Sequence, residues 1–364
     1  MHSNGHVVHR EEFYPWQDSQ SGTRMMPTEP GGARGLVDRA RDAERRGDTA
    51  RSLGLYDDAI EALDREQNVP LLADTLRWKG TLHREQGDTE AAYRCYTQSL
   101  IHAEKCGSIS GKAHGFNCLA IIAQRRGNLA ESEKLYLRAA EFAGKVGDVR
   151  LLGMIEQNRG VLFNMRGNFV AAEARYSNSL GAFERANDDE AVSWVLNNIG
   201  MLYTKLGHYS RAVETFERGL VIAKTRRDSL VESVLVLNLA LVWVAIGKLD
   251  DAEKACAASL AGAQARGDHL TIAEALKCRA RIERERGAFH ESIATLRIGI
   301  FEAEGLEDRL LQAEMLREFG QTSRALGNSS DALLAWRDAA DSFEDVGAQY
   351  EAAEINALIA SLPS

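Results

Sequence analysis

Residues 196–220 read LNNIGMLYTKLGHYSRAVETFERGL, and the order of residue types in this stretch decides the fold. Leu196, Ile199, Gly200 and Tyr203 recur at the spacing of one helix face. Gly207 then ends that helix, because only glycine enters the left-handed cap without steric cost. Ala212 and Phe216, four apart, mark one face of a second helix that turns back on the first.

The same order continues on both sides. Gly47, Gly87, Gly127, Gly167, Gly207, Gly247, Gly287 and Gly327 are spaced 40 residues apart. Seven residues before each stands Ala or Gly, as at Ala40, Gly80, Gly160, Gly200 and Gly320, and five after each stands Ala or Ser. Nine after each comes a larger side chain: Tyr56, Tyr96, Tyr136, Tyr176, Phe216, Cys256, Leu296 and Trp336. Glycine inside a helix costs about 1 kcal/mol relative to alanine, so its recurrence at one position requires close approach of a second helix. Asp88, Asn128, Asn168 and Asn328 follow the turn glycines and can take the free N–H groups of the second helix. A looser turn falls at Gly107, Gly147, Gly267 and Gly347, with Asn187 in the same register. These units cannot bury their apolar faces alone, so the sequence predicts an all-α stack of helical hairpins.

The quoted stretch resembles a tetratricopeptide repeat: Leu196, Ile199, Gly200 and Tyr203 fall on its first-helix pattern, Ala212 and Phe216 on its second. The period departs from the usual unit of about 34 residues, and the terminal proline is missing. The longer unit is similar to the repeats of kinesin light chains and of bacterial regulators of this class. The resemblance implies an α-solenoid, a right-handed superhelix of hairpins, over eight repeats in residues 33–352. Residues 349–364 read as a capping helix and tail, and residues 1–32 as a disordered leader that holds Phe13, Tyr14, Pro15 and Trp16. Docking of that aromatic cluster on a partner, or in the chain's own groove, is the alternative for the leader.

Composition narrows the function. Proline is nearly excluded from the array, where only Pro70 occurs, and it fits a loop after the first unit. Cys95, Cys106, Cys118, Cys256 and Cys278 show no metal or redox spacing, which points to reduced thiols and a cytoplasmic setting. No run is long and apolar enough for a bilayer, and the start of the chain lacks the apolar core of an export signal. The net charge is −9, and residues 331–364 hold seven acids against Arg337. Such an end repels phosphates, so nucleic acid is not an expected partner. Phosphate-binding glycine loops, paired-cysteine motifs, zinc helices and nucleophile elbows are absent, and no enzyme, cofactor or metal site is expected.

The helix face that neighbouring hairpins leave uncovered carries function in such a stack. In the fifth unit this stripe reads Trp194, Asn198, Met201 and Lys205. The equivalent places are Met154, Asn158, Val161 and Met165 before it, and Val234, Asn238, Leu241 and Ala245 after it. The resemblance implies that this stripe lines the concave surface, and that Asn158, Asn198 and Asn238 contact a bound peptide. An amide offers both donor and acceptor to a peptide backbone, while Met and Trp contact its side chains. Gln157, Asn197 and Arg125 complete the candidate peptide-binding set. The alternative role for the asparagines is to bond neighbouring helices and set the superhelix. Arg77, Arg84, Lys277, Arg281, Arg284, Arg317 and Arg324 alternate with Glu85, Glu274, Glu285, Glu314 and Glu318 near the same stripe, and such mixed charge is expected to be a solvated face.

Two function classes follow. One is an interaction scaffold or adaptor that binds a peptide segment of a protein partner. The other is a peptide-sensing regulator that captures or releases a response protein. Self-association through the stack ends or the N-terminal tail stays open, since the first unit lacks a clear polar cap.

Overall fold

A computed structural model of the chain describes residues 32–306 and 308–362, so the leader, apart from Gly32, lies outside the described residues. Seventeen helices follow one another there, with no strand among the described residues. The first helices of successive hairpins are α1 (Ala33–Arg45), α3 (Val69–Glu85), α5 (Ile109–Arg125), α7 (Val149–Met165), α9 (Asp189–Lys205), α11 (Ser229–Ala245), α13 (His269–Glu285) and α15 (Arg309–Ala325). Their partners are α2 (Thr49–Arg65), α4 (Thr89–Lys105), α6 (Leu129–Val146), α8 (Phe169–Arg185), α10 (Tyr209–Arg226), α12 (Leu249–Arg266), α14 (Phe289–Gly305) and α16 (Ser329–Asp345). A last helix, α17 (Gln349–Ala360), follows. Consecutive helices pack as stacked hairpins, and first helices also touch the next first helix, as α9, α11, α13 and α15 do in series.

The turns follow from the glycine ladder. Gly87, Gly167 and Gly247 adopt φ of +79°, +71° and +76°, a region that disfavours any side chain. Gln67, Asn187 and Arg227 take the same conformation at the looser turns, at φ of +54°, +53° and +56°. Helix starts are capped as the sequence suggests at Asp88 and Asn168, whose side chains accept from the N–H groups of Ala91 at 2.9 Å and Ala171 at 3.2 Å. Asn128 makes no such bond. The first helices use the same device, with Asp188, Asp228, Asp268 and Asp308 as caps. Pro70 lies inside the first turn of α3 rather than in a loop, where its missing N–H has no helical partner to lose.

Packing inside four of the hairpins turns on a glycine that faces a large ring. A Cβ placed on Gly80 would stand 2.8 Å from the Tyr96 ring, and one on Gly160 would stand 2.5 Å from Tyr176. Gly200 faces Phe216 and Gly320 faces Trp336 in the same way. The four large side chains are fully buried. Serine in the second small register adds a bond: Ser52 donates to the Ala40 carbonyl at 2.9 Å, and Ser292 to the Ala280 carbonyl at 2.8 Å.

The described chain forms two compact units, residues up to 155 and residues from 156 onward. In the second unit α17 packs on α16 through Ala348, Ala352 and Ile355, beside Trp336, Phe343 and Val346. Its other face reaches back to α8 and α9. Tyr350 meets Phe169 edge-on at 5.4 Å, and Lys205 Nζ lies 2.7 Å from a Glu351 carboxylate oxygen. The sequence reading of residues 349–361 as a cap on the stack end leaves out this second contact, because nothing local in Tyr350-Glu351 reveals a partner 146 residues away.

Gly200→Leu should lower stability by about 1–3 kcal/mol, since the Phe216 ring occupies the space a side chain would need. A thermal or urea unfolding curve for the variant checks it.

Candidate functional site

The inner wall of residues 156–362 forms a partly open cavity of about 220 Å3. Six helices contribute to its lining, α7, α9, α11, α13, α15 and α17, all of them first helices or the last helix. That follows from hairpin geometry, since stacked first helices place one face toward a common interior.

Of the stripe proposed from sequence, Met201, Asn238 and Leu241 line this cavity, together with Met165 from the preceding unit. Asn238 is buried and donates through Nδ2 to Asn197 Oδ1 at 2.6 Å, which ties α11 to α9. Asn197 in turn approaches the Met201 sulfur at 3.6 Å. Trp194 and Asn198, one turn apart on α9, are 8% and 5% exposed. Their donor atoms, Nε1 and Nδ2, are shielded from solvent and have no hydrogen-bond partner in the protein. Gln157 is buried, Asn158 half-buried and Lys205 occupied by Glu351. Arg125 and Met154 belong to the unit that ends at residue 155, where Arg125 donates to the Arg84 carbonyl at 3.4 Å.

Of the charged residues read as a solvated face, Arg77, Glu274, Lys277 and Glu318 are buried instead, while Glu85, Glu285 and Arg324 are exposed as expected. Glu274, Lys277 and Glu318 are 4%, 7% and 3% exposed, and all line the cavity. Lys277 bonds Glu274 at 2.9 Å on its own helix and Glu314 on α15. One turn further on, Glu318 accepts from Arg284 at 2.5 Å and lies 3.7 Å from Arg281. Burial pushes the Glu318 carboxyl up, but Arg281, Arg284 and Arg317 together outweigh it and hold the group at about 2. Arg281 is raised in return, chiefly by Glu318. Two rows of charge thus join α13 to α15 across the cavity floor. The sequence carried a signal for this: Lys277 and Arg281 are four apart on α13, as are Glu314 and Glu318 on α15. No rule of spacing tells whether such a ladder faces water or a neighbouring helix.

Chemically the site is a small, partly open cavity with an apolar edge of Met165, Met201 and Leu241 and a paired-charge floor. Among the described residues no group of His, Cys, Asp and Glu is placed to hold a metal ion. No helix there is long and apolar enough to cross a membrane.

Because the Glu318 carboxyl sits below its ordinary range in the folded chain, its contribution to stability is complete above about pH 4.5 and is lost as pH falls toward about 2. Urea midpoints measured across that window should drop for the natural chain and flatten for Glu318→Gln. Glu318→Ala should cost about 3 kcal/mol at neutral pH, since it leaves arginine charge buried without its partner.

Comparison with known proteins places this geometry. Residues 151–225 match the tetratricopeptide-repeat family. No curated protein sequence matches the chain. Among solved structures, aspartyl phosphate phosphatase F from Bacillus subtilis superposes with a TM-score of 0.62 at 12% identity, covering 88% of this chain and 96% of that one. A Rap protein complexed with Competence and Sporulation Factor gives 0.58 at 12% identity, covering 90% and 96%. BtubC (BKLC) from P. vanneervenii gives 0.53 at 22% identity, covering 60% and 92%. At these identities the likeness concerns the fold, and the fold is an α-solenoid of the tetratricopeptide type.

Proposed function

We propose that the chain is an interaction scaffold whose inner wall binds a peptide segment of a protein partner. The observation that carries this reading is the cavity on the inner wall, lined from six helices by apolar side chains such as Met201 and Leu241, the amides of Asn164 and Asn238, and the charged residues of α13 and α15. Met201, Leu241 and Met165 offer adaptable apolar contact to ligand side chains. The amides and indole of the same stripe, Asn158, Asn198, Asn238 and Trp194, offer backbone hydrogen bonds, with Gln157, Asn197 and Lys205 beside them. Met154 and Arg125 are candidate contacts on the unit that ends at residue 155, taken by itself. Affinity then comes from several modest contacts along the stack, with no reaction catalysed.

The helices support the long-unit subtype similar to kinesin light chains and bacterial regulators, since most run to 17 or 18 residues. A second reading, a peptide-sensing regulator that captures or releases a response protein, draws support from one comparison. The similar fold of a Rap protein was solved complexed with Competence and Sporulation Factor.

A displayed library of random peptides, selected on the full chain, tests the binding reading, with calorimetry on the best binder. Asn198→Ala removes a donor that has no protein partner, so stability should stay within about 0.5 kcal/mol while affinity falls by about 1–3 kcal/mol. Val221→Ser, on an exposed part of α10, should leave affinity unchanged. A library that yields no binder sensitive to Asn198→Ala would contradict the reading.

A further inference from the structure

The contact between α17 and the helices α8 and α9 joins parts of the stack that repeat packing alone does not bring together. Each hairpin of a solenoid rests on its neighbours only, so its curvature is soft and its ends meet only where specific contacts hold them. Here those contacts are few and confined. Lys205 Nζ lies 4.4 Å from the Tyr350 ring centre and 5.2 Å from that of Phe169, while it pairs with Glu351. Tyr350 also comes within 3.3 Å of the place a Cβ would take on Gly167. The opposite face of α17 is anchored in the core around Trp336 and Phe343, so the helix stays on α16 whether or not this contact is made.

Two further observations bear on what the contact does. Glu351 of α17 and Ala348, which caps its start, line the cavity together with Met201 and Asn164. On α9, the helix that supplies Lys205, Trp194 and Asn198 hold buried donors with no partner. Unpaired buried donors are costly, and a partner that reaches them, whether water or an incoming chain, removes that cost.

We infer that α17 is a strap: Tyr350 and Glu351 clasp Phe169 and Lys205, hold the unit closed over its cavity, and release opens the inner wall of α9 to an incoming chain. Opening breaks the clasp and leaves every hairpin interface intact. Lys205, a candidate ligand contact in the sequence, thereby becomes a switch residue, since a bound segment with its own acidic or aromatic group would compete for it. The inference rests on the proposed reading of the cavity as a binding site, but access can be measured with no ligand present, so the two can fail separately.

The test is thiol labelling at a cavity position. Leu241→Cys, introduced into the full chain, is treated with a maleimide, and modification at that position is followed by peptide mass spectrometry. Adding Lys205→Glu removes the pair and both ring contacts and sets like charges together, so labelling should speed up by roughly tenfold. Tyr350→Ala should act in the same direction. Glu351→Lys combined with Lys205→Glu restores an opposite pair and should return the rate to within about twofold of the parent. Raised salt should speed labelling of the parent, because the pair is partly exposed. Equal rates in the parent and both single variants, or a charge-swapped chain as fast as Lys205→Glu, would overturn the strap.

Discussion

The fold depends on how closely two antiparallel helices approach where a small residue faces a large one. At Gly80, Gly160, Gly200 and Gly320 the partner ring lies so near that no side chain would fit without displacement. Tyr96, Tyr176, Phe216 and Trp336 fill the groove made available in this way, and each is fully buried. In these four hairpins the contact brings the two helices close together, and the first helices then stack on one another along the chain. At Ala40 and Ala280, where Ala replaces Gly, a serine of the partner helix donates to that alanine's own carbonyl.

The fold was legible because its determinants are local. A glycine at positive φ, a capping carboxylate three residues before its N–H partner and a small residue facing an aromatic each leave a mark within one hairpin. Of the stripe read from the sequence, Met165, Met201, Asn238 and Leu241 line a partly open cavity, whereas Trp194, Asn198, Asn158 and Lys205 do not. What escaped the sequence depends on neighbours one or more repeats away. Glu274, Lys277 and Glu318 read as surface charge, yet they pair across α13 and α15 and are buried. Asn238 has the same residue type and register as Asn158 and Asn198, yet it bonds Asn197 on the adjacent inner helix. Tyr350 and Glu351 look like residues of a simple cap until the curvature of the unit brings them to Phe169 and Lys205.

The inner wall accordingly has two kinds of polar group. Some, such as Glu318 with its arginines and Asn238 with Asn197, are satisfied within the protein and hold first helices in register. Others, the Trp194 indole and the Asn198 amide, are buried without a partner. The first kind ties neighbouring first helices together, and under the proposed reading the second is where an additional chain would relieve a cost. On the proposed reading an incoming chain needs a way in, and the contact of α17 with Phe169 and Lys205 is the place the strap inference assigns to it.

Site-specific photo-crosslinking in the native cell tests the binding account most directly. A photoreactive residue at Leu241, inside the cavity, should capture polypeptide, whereas the same residue at Val221, on exposed α10, should capture none above background. Equal capture at both positions, or capture at Val221 alone, would contradict an inner wall that grips a partner.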